Sequence, residues 1–406
     1  MGDSTKDKRL TRPDQREKVL LGARNRKMAR SAHAFVRGST ASFYDWLQKP
    51  PVEKMPAGPS IWICGDCHVG NLGPIAHPSG RVDIQIRDLD QTVIGNPAHD
   101  LIRLGLSLAS AARGSDLPGV TTAKMMEQLI EGYELAFTDK EVTETETSNR
   151  PLSVRLVMKE AASRSWKKLA QERLEDTRPT IPLGKRFWPL TDEEMQAVRE
   201  LFGIGHIRRL ATMLRSRDDD APVELLDAAY WMKGCSSLGA LRFAALLQVG
   251  KGKDRQICLM DLKEAVPPAA PHDPNARMPA DNGERVVEGA RRLSPNVGER
   301  MRSARLLDRS VFVRELLPQD LKLEIAQLSQ DEAIKAARFL AGVVGTAHAR
   351  QMDRSTQKNW LNELQRDRPQ NIDAPSWLWK NIVELMASHE GAYLEHCRRY
   401  AWIDAA

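Results

Sequence analysis

The stretch from Cys64 to Asn71, written CGDCHVGN, carries side chains that suit two different chemistries. Its first five residues follow the Cys-x-x-Cys-His pattern of covalent haem attachment. Its last six place Asp66 five residues before Asn71, a spacing typical of phosphoryl-transfer loops. In such loops a carboxylate orients the attacking hydroxyl and an asparagine helps to hold magnesium. Zinc binding by the cysteines is disfavoured, because no second Cys/His pair follows at a useful spacing.

The residues after this stretch favour phosphoryl transfer. The segment IAHPSGRVDIQI places a Pro-Ser-Gly turn between two strand-like runs, which predicts a hairpin. The hairpin returns the chain at Asp88 to the neighbourhood of Asn71, so one place would hold two oxygen ligands for Mg²⁺. Haem attachment would explain neither Asn71 nor Asp88. It also generally requires export, whereas five cysteines in 406 residues suit a reducing compartment.

The same polar residues also have ordinary structural interpretations. Asp66 and Asn71 can serve as loop formers, and Asp88 can end a strand. Asp100 is as well explained as a helix N-cap as by any function, and Asp90 is better explained structurally. We favour function only for Asp66, Asn71 and Asp88 taken together.

Composition indicates a globular protein that stays in the cytoplasm. Of the residues, 41% are hydrophobic and 28% charged, which supports two or three lobes with sizeable cores. No run of about 18 apolar residues occurs, and the N-terminus is charged where a signal peptide would be apolar. The net charge of +6 favours anionic ligands such as nucleotides. Nucleic acid is a less favoured partner, because the basic residues are spread among acidic ones.

The segments GDCHVGNLG and IRDLDQTVIGNPAHDLIRL together resemble the aminoglycoside-phosphotransferase branch of the kinase-like superfamily. The resemblance implies that Asp66 is the catalytic base and that Asn71 and Asp88 bind magnesium. It further implies that Asp100 opens and braces the following helix, and that ATP and Mg²⁺ are the cofactors. His68 is expected to be a structural hydrogen-bonding residue.

The nucleotide-binding parts come after the catalytic loop in this chain. Only 60 residues precede Ile61, and they have helical spacing. The later segment GCSSLG can cover phosphates with backbone N–H groups, and Lys263 takes the place of the strand lysine that contacts them. A helix glutamate should pair with Lys263, and we favour Glu288 over Glu284. The strand SVFVREL would be the hinge that receives the base. The expected nucleotide-binding residues are Gly234, Ser236, Ser237, Gly239, Lys263, Glu288, Arg314, Glu315 and Leu316.

This order predicts an α+β, two-lobed, protein-kinase-like fold that is circularly permuted, with a small antiparallel-sheet nucleotide lobe and a large helical lobe. The whole chain also resembles a bacterial domain family of unknown function with kinase-like motifs. We expect four segments: an N-terminal helical segment and linker (1–60), the catalytic loop, metal site and helical lobe (61–232), the strand-rich nucleotide lobe (233–318), and the hinge exit with C-terminal helices (319–406).

Permutation makes two spatial predictions. The end of the helix through His348 must lie near Ile61, and Lys263 must face Asp88 across a cleft wide enough for a triphosphate. Two departures weaken the nucleotide site: Ser236 replaces a central glycine, and Asp261 stands where kinases present a small apolar residue to adenine. Arg37 either reaches the active site or anchors a helix end.

The expected activity is ATP-dependent phosphoryl transfer to a hydroxyl of a small molecule, such as a metabolite or an antibiotic-like compound. A protein-modifying kinase, an AMP transferase and an inactive nucleotide-binding module remain as alternatives. The sequence leaves open the acceptor, the choice between ATP and GTP, and the oligomeric state.

Overall fold

The chain is a mixed α+β protein. The computed structural model describes residues 13–49, 54–77, 79–138, 150–163, 179–234, 238–252, 255–317, 320, 329–366 and 374–400. Its helices are α1 (Arg16–Met28), α2 (Ala32–Gly38), α3 (Thr40–Leu47), α4 (Ala98–Arg113), α5 (Gly119–Leu135), α6 (Leu152–Ser163), α7 (Asp192–Gly203), α8 (Gly205–Arg208), α9 (Asn282–Leu293), α10 (Pro295–Gly298), α11 (Gln330–Ala349), α12 (Arg354–Gln365) and α13 (Ser376–Tyr400). Its strands are β1 (Ile61–Ile63), β2 (Leu72–Ala76), β3 (Val82–Ile86), β4 (Val93–Gly95), β5 (Phe187–Trp188), β6 (Val223–Trp231), β7 (Arg242–Val249), β8 (Gln256–Glu264), β9 (Met301–Leu306) and β10 (Arg309–Leu316).

Several helices begin at side chains that satisfy their free N–H groups. Thr191 and Glu194 form a capping box at the start of α7. Asp281, Ser329 and Asp353 accept hydrogen bonds from the first turns of α9, α11 and α12. These short-range signals set where the helices begin.

A six-stranded antiparallel sheet has the order β5-β6-β7-β8-β10-β9. The sheet has one apolar and one polar face, as strand β8 shows: Cys258, Met260 and Leu262 alternate with Asp261 and Lys263. The first three side chains are buried in a core with residues of α7. The other face therefore carries the polar side chains, including Lys263.

Strand β6 was not predicted from the sequence, which assigned the region before Met232 mainly to helices. The sheet therefore includes residues before 233, where we expected the strand-rich segment to begin. A register shift between Leu225 and Asp227 interrupts the pairing of β6 with β7. Such a shift breaks the alternation by which a strand is recognised in sequence.

Two nested strand pairs bring the polar loops together. β2 pairs with β3, and the flanking strands β1 and β4 pair with each other. The loop 64–71 between β1 and β2 and the loop 87–92 between β3 and β4 therefore lie at the same end. The N–H of Arg87 donates to the carbonyl of Asn71 at 2.7 Å, which joins the two loops directly. The predicted hairpin is present.

The helical part packs closely around α4, α5, α11 and α13. Gly132 of α5 touches the backbone of α11, since a Cβ there would lie 2.1 Å from the carbonyl oxygen of Arg338. Just beyond α11, the Gln351 side chain exchanges two hydrogen bonds with the Trp62 backbone, at 3.0 and 2.9 Å, across 289 residues of sequence. The predicted proximity of the His348 helix end to the strand at Ile61 is confirmed.

Candidate functional site

Loop 64–71 is held in one conformation by Asp100, from the first turn of α4. Its carboxylate accepts hydrogen bonds from the N–H groups of Cys64 and Gly65, at 2.7 and 3.0 Å. The same carboxylate lies 3.2 Å from Nε2 of His348. Gly65 has φ +74°, and a Cβ there would lie 2.1 Å from the Gln91 carbonyl oxygen. Asp100 thus braces the loop before it as well as lying at the start of its own helix.

Asp66 is held by a buried arginine that the sequence analysis overlooked. Nε of Arg103 donates to Oδ1 of Asp66 at 2.9 Å, and the Arg103 side chain is fully buried. Burial raises the pKa of Asp66, and the Arg103 charge opposes that rise. Nδ2 of Asn71 donates to the backbone carbonyl of Asp66 at 2.9 Å. The two residues predicted to act together are therefore directly linked.

A sequence signal for Arg103 does exist. It is the one charged residue in the run LIRLGLSLA. A charge in an apolar helical run must be paired if it is buried, and a nearby carboxylate is the natural partner. The pattern predicts a buried ion pair without naming Asp66.

Lys263 reaches across from the sheet to the loop after β3. Its Nζ lies 3.4 Å from Oδ1 of Asp88 and also forms an ion pair with Asp90. The Lys263 side chain is buried, whereas the Asp88 side chain is 46% exposed. Lys263 and Asp88 therefore face each other as predicted, but the predicted cleft does not separate them, because the two side chains are in direct contact.

The two carboxylates near Lys263 have opposite pKa shifts. Burial acts to raise the pKa of Asp88, but the Lys263 ammonium outweighs it and holds the pKa well below its usual range. For Asp90, burial and the Asp88 charge together raise the pKa to about 7. Asp90, which the sequence indicated to be a structural residue, therefore lies in the site and pairs with Lys263.

The expected ion pair between Lys263 and Glu288 is not formed. Glu288 instead pairs with Arg292 at 3.0 Å on the surface of α9, and Glu284 is exposed. The face of α9 toward the loops presents Arg285, which donates to the backbone carbonyls of Thr92, Asp90 and Val266. With Asp90 already beside Lys263, the lysine has its counter-charge without a helix glutamate. Assigning Glu288 to nucleotide binding through Lys263 was therefore wrong in this structure.

The predicted glycine-rich loop is described only in part. Gly234 and Gly239 both have positive φ, at 122° and 114°, a backbone region that favours glycine. Ser236 and Ser237 lie outside the described residues. The Gly234 carbonyl accepts a hydrogen bond from Lys27 of α1 at 2.5 Å. The N-terminal helices therefore contact this loop.

The predicted hinge strand β10 uses its polar groups within the protein. The Glu315 side chain forms a buried, two-bond ion pair with Arg217, at 3.0 and 2.8 Å. Its backbone carbonyl accepts from Arg300 at 2.8 Å. Arg314 donates to the Arg87 carbonyl at 2.9 Å, and Leu316 pairs with Leu259 in the sheet. Both acceptor groups of Glu315 therefore already have donors within the protein, and its binding of the nucleotide base stays a prediction.

Asp261 lies in a buried ion cluster on the same sheet face as Lys263. Arg242 donates to both of its carboxylate oxygens, at 2.8 and 2.6 Å, and Nε of Arg314 lies 3.6 Å away. Burial acts to raise the pKa of Asp261, but these guanidinium groups hold it far below its usual range. The negative charge of Asp261, at a position where kinases have a small apolar residue, is therefore neutralised by two arginines.

Cys64 and Cys67 are fully buried within the main core. Their Sγ atoms and a carboxylate oxygen of Asp100 lie within 4.8 Å of one another. A hydrogen bond with Cys67, together with burial, raises the pKa of the Cys64 thiol. These thiols offer no surface for covalent haem attachment, so they are best explained as packing groups beneath the loop.

Taken together, the fold and the site define a mixed α+β protein in which a sheet lysine pairs with two carboxylates of one loop, and a neighbouring loop holds a buried aspartate. Residues 16–399 match the bacterial family DUF2252, described as an uncharacterized protein conserved in bacteria, and the chain belongs to that family. No curated protein and no solved structure matches the chain. Among the helices of the described residues, none has both the length and the apolar character of a membrane span.

Proposed function

We propose that this protein is a Mg²⁺- and ATP-dependent phosphotransferase that acts on a hydroxyl of a small molecule. The observation that carries the proposal is the meeting of Lys263 with Asp88, next to a loop in which Asn71 is bonded to Asp66. These residues come from distant parts of the chain, and their types are those that phosphoryl transfer requires.

The sheet supports a kinase-like nucleotide lobe. From β6 onward the chain forms a hairpin around a glycine-containing loop, then strand β8, which carries Lys263, then helix α9, then two more strands. The third of these strands pairs with the fifth, so that the order is β6-β7-β8-β10-β9. This order resembles the nucleotide lobe of the kinase-like superfamily. Its position after loop 64–71 supports the circular permutation.

In this proposal Asp66 accepts or orients the proton of the acceptor hydroxyl. Arg103 holds one of its carboxylate oxygens, and Oδ2 lies 3.8 Å from Nε2 of His68. Burial lowers the pKa of His68 well below its usual value, and the charges of Arg103 and Arg37 add to this. A neutral His68 leaves Asp66 as the base beside the acceptor.

The loop residues fit a magnesium ion. Asn71, Asp88 and Asp90 offer oxygen ligands, which Mg²⁺ prefers. Oδ1 of Asp90 is buried and has no hydrogen-bond partner among the described residues, so it is available to a cation. Magnesium, when bound, would neutralise negative charge on the donor phosphates. Lys263 would contribute the protein's own positive charge to the same phosphates.

The base-binding side fits less well, because Arg300 occupies the Glu315 carbonyl and Asp261 replaces an apolar contact. Donor binding is therefore proposed to depend mainly on the phosphate groups. An AMP transferase, a protein kinase or an inactive nucleotide-binding module would share these residues, and product analysis separates them.

Asp66→Asn should lower turnover at least about a hundredfold while MgATP affinity stays within twofold, because the carboxylate contacts the acceptor and not the donor. ATP consumption against a library of hydroxylated metabolites and antibiotics, with mass spectrometry of the products, measures turnover. Calorimetry measures affinity. Glu288→Gln is the matched control, since Glu288 forms ion pairs with Arg291 and Arg292 on the surface of α9, and it should change neither quantity.

Transfer of AMP, or modification of a protein acceptor alone, would favour the corresponding alternative. Turnover of Asp66→Asn within a few-fold of wild type would remove Asp66 from its proposed role. Binding of MgATP without turnover of any acceptor would favour the inactive module.

A further inference from the structure

Arg37 of α2 lies directly against loop 64–71. A Cβ on Gly70 would lie 3.0 Å from Nε of Arg37 and 3.2 Å from Cε1 of His68. The glycine therefore makes room for the guanidinium immediately before Asn71. The sequence left open whether Arg37 reaches the site or anchors a helix end, and this contact places it at the loop.

The position of Arg37 is tied to that of Asp66. Arg103 donates to the backbone carbonyl of Val36 at 2.6 Å and, through Nε, to Asp66. One buried guanidinium thus holds both the proposed base and the residue that precedes Arg37. Arg37 is consequently fixed relative to the reacting group.

The nitrogen atoms around this point lack partners. Buried atoms without a hydrogen-bond partner among the described residues include Nε of Arg37, Nδ1 of His33, Nδ1 of His68 and Nε of Arg87. His33 lies one helical turn before Arg37, and burial, followed by the charge of Arg37, lowers the pKa of His33 to about 4. A buried polar group without a partner is costly, and the guanidinium nitrogens can only donate, so this cluster suits a ligand that supplies acceptors to Arg37 and Arg87.

The carboxylates of the two neighbouring loops do not neutralise Arg37. Asp66 is paired with Arg103, and Asp88 with Lys263. Among the described residues Arg37 itself forms no ion pair, and the Asp320 carboxylate close to Arg87 is paired with Arg300. This side of the loop therefore has positive charge in excess.

We propose that Arg37, assisted by His33 and Arg87, binds an anionic group of the phosphoryl acceptor. The acceptor is then a hydroxylated compound that carries a phosphate or a carboxylate, and not a polycationic aminoglycoside. This inference rests on the proposed function, because it assigns the acceptor side of the same site. Arg37 is a specificity-determining residue in this scheme.

Matched acceptors test the charge requirement. Glycerol is compared with glycerol 3-phosphate, glucose with glucose 6-phosphate and gluconate, and kanamycin serves as the cationic compound. The phosphate and carboxylate members distinguish the two anionic groups. We expect transfer to anionic members at least tenfold more efficient than to neutral ones, as kcat/KM. Equal or better transfer to neutral or cationic compounds overturns the proposal.

Arg37→Gln should raise KM for the anionic acceptor at least tenfold with a smaller change in kcat. Arg30→Gln is the matched control, because Arg30 is an exposed arginine in the turn before α2, and its loss removes the same charge. Circular dichroism confirms that both variants fold. An unchanged KM in Arg37→Gln, or an equal rise in Arg30→Gln, would contradict the assignment.

Binding of inorganic phosphate, measured by calorimetry, tests the anion site without requiring turnover. Wild type and Arg30→Gln should bind phosphate with similar affinity, and Arg37→Gln at least tenfold more weakly. If no compound is phosphorylated but phosphate binding depends on Arg37, the proposed function fails and the anion site stands. If phosphate binding is absent, or is equal in Arg37→Gln, the anion site is wrong whether or not the protein is a phosphotransferase.

Discussion

Replacing Arg103 by methionine should destabilise the protein strongly. The side chain is fully buried, and its two main partners are the Asp66 carboxylate and the Val36 carbonyl. Methionine retains much of the apolar volume next to Phe43, over whose ring the guanidinium lies at 5.2 Å. The substitution therefore removes mainly the charge and the hydrogen bonds.

The expected cost follows from leaving Asp66 without its counter-ion. Asp66 is only 5% exposed, so its carboxylate cannot regain full hydration. Removing one partner of a buried ion pair typically costs about 3–5 kcal/mol. Arg113→Met is the control on the same helix, because Arg113 pairs with Glu390 at the surface, where such a pair contributes at most about 1 kcal/mol.

Equilibrium unfolding in urea, followed by far-ultraviolet circular dichroism, measures both variants. A double-mutant cycle with Asp66→Asn then isolates the pairwise interaction, and Arg103→Met should cost less in the Asp66→Asn background. If Arg103→Met costs no more than Arg113→Met, or costs the same in both backgrounds, the ion pair does not hold the loop in the way that the structure indicates.

Two further predictions concern packing and pH. Gly132→Ala should destabilise the protein by about 1–3 kcal/mol, since its Cβ would meet the Arg338 carbonyl. Gly391→Ala in α13 has open space around the added Cβ and should stabilise the protein by up to about 1 kcal/mol. Thermal unfolding compares the two variants, and equal effects would contradict the close approach of α5 to α11. Burial, together with the charge of Arg103, lowers the pKa of His389 to about 4. Between this value and the unfolded pKa of about 6.5, the unfolded state binds a proton that the folded state does not. The free energy of unfolding therefore falls as the pH drops below about 6.5. Between pH 7 and pH 5, the free energy of unfolding of His389→Phe should fall by about 2 kcal/mol less than that of wild type. Urea unfolding measures both, and an identical fall would show that His389 is not held neutral.

Much of the site could be predicted because its signals are local. The spacing of Asp66 and Asn71 and the Pro-Ser-Gly turn predicted which residues meet in the two loops. The nested pairing of β1 with β4 then follows from that hairpin. The mixed α+β class and the strand that carries Lys263 were also predicted from the sequence.

What the sequence could not supply were partners chosen by tertiary packing. Glu288 had the correct residue type and a suitable distance along the chain, but Lys263 pairs with Asp90, which lies 173 residues before it. Spacing along the chain cannot tell which of two carboxylates will pair with a lysine when the fold brings only one of them close. Strand β6 was missed for a different reason, since its register shift removes the period-two pattern.

The sheet face around Lys263 bears on which donors the proposed phosphotransferase would accept. Cross-strand pairing sets Arg242 opposite Lys263 and Arg314 opposite Asp261, so charged side chains cover the part of the face next to the lysine. Beyond them, Ile181 packs against Ala229 and Ala244, and its N–H donates to Asp227 at 2.7 Å. A flat base entering there would have to displace Ile181 or disturb a buried ion cluster, and either is costly. At Lys263, phosphate groups would instead compete with Asp88 and Asp90 for the ammonium. In the proposed phosphotransferase, donor recognition should therefore be governed by the phosphate chain and should discriminate little between adenine and guanine.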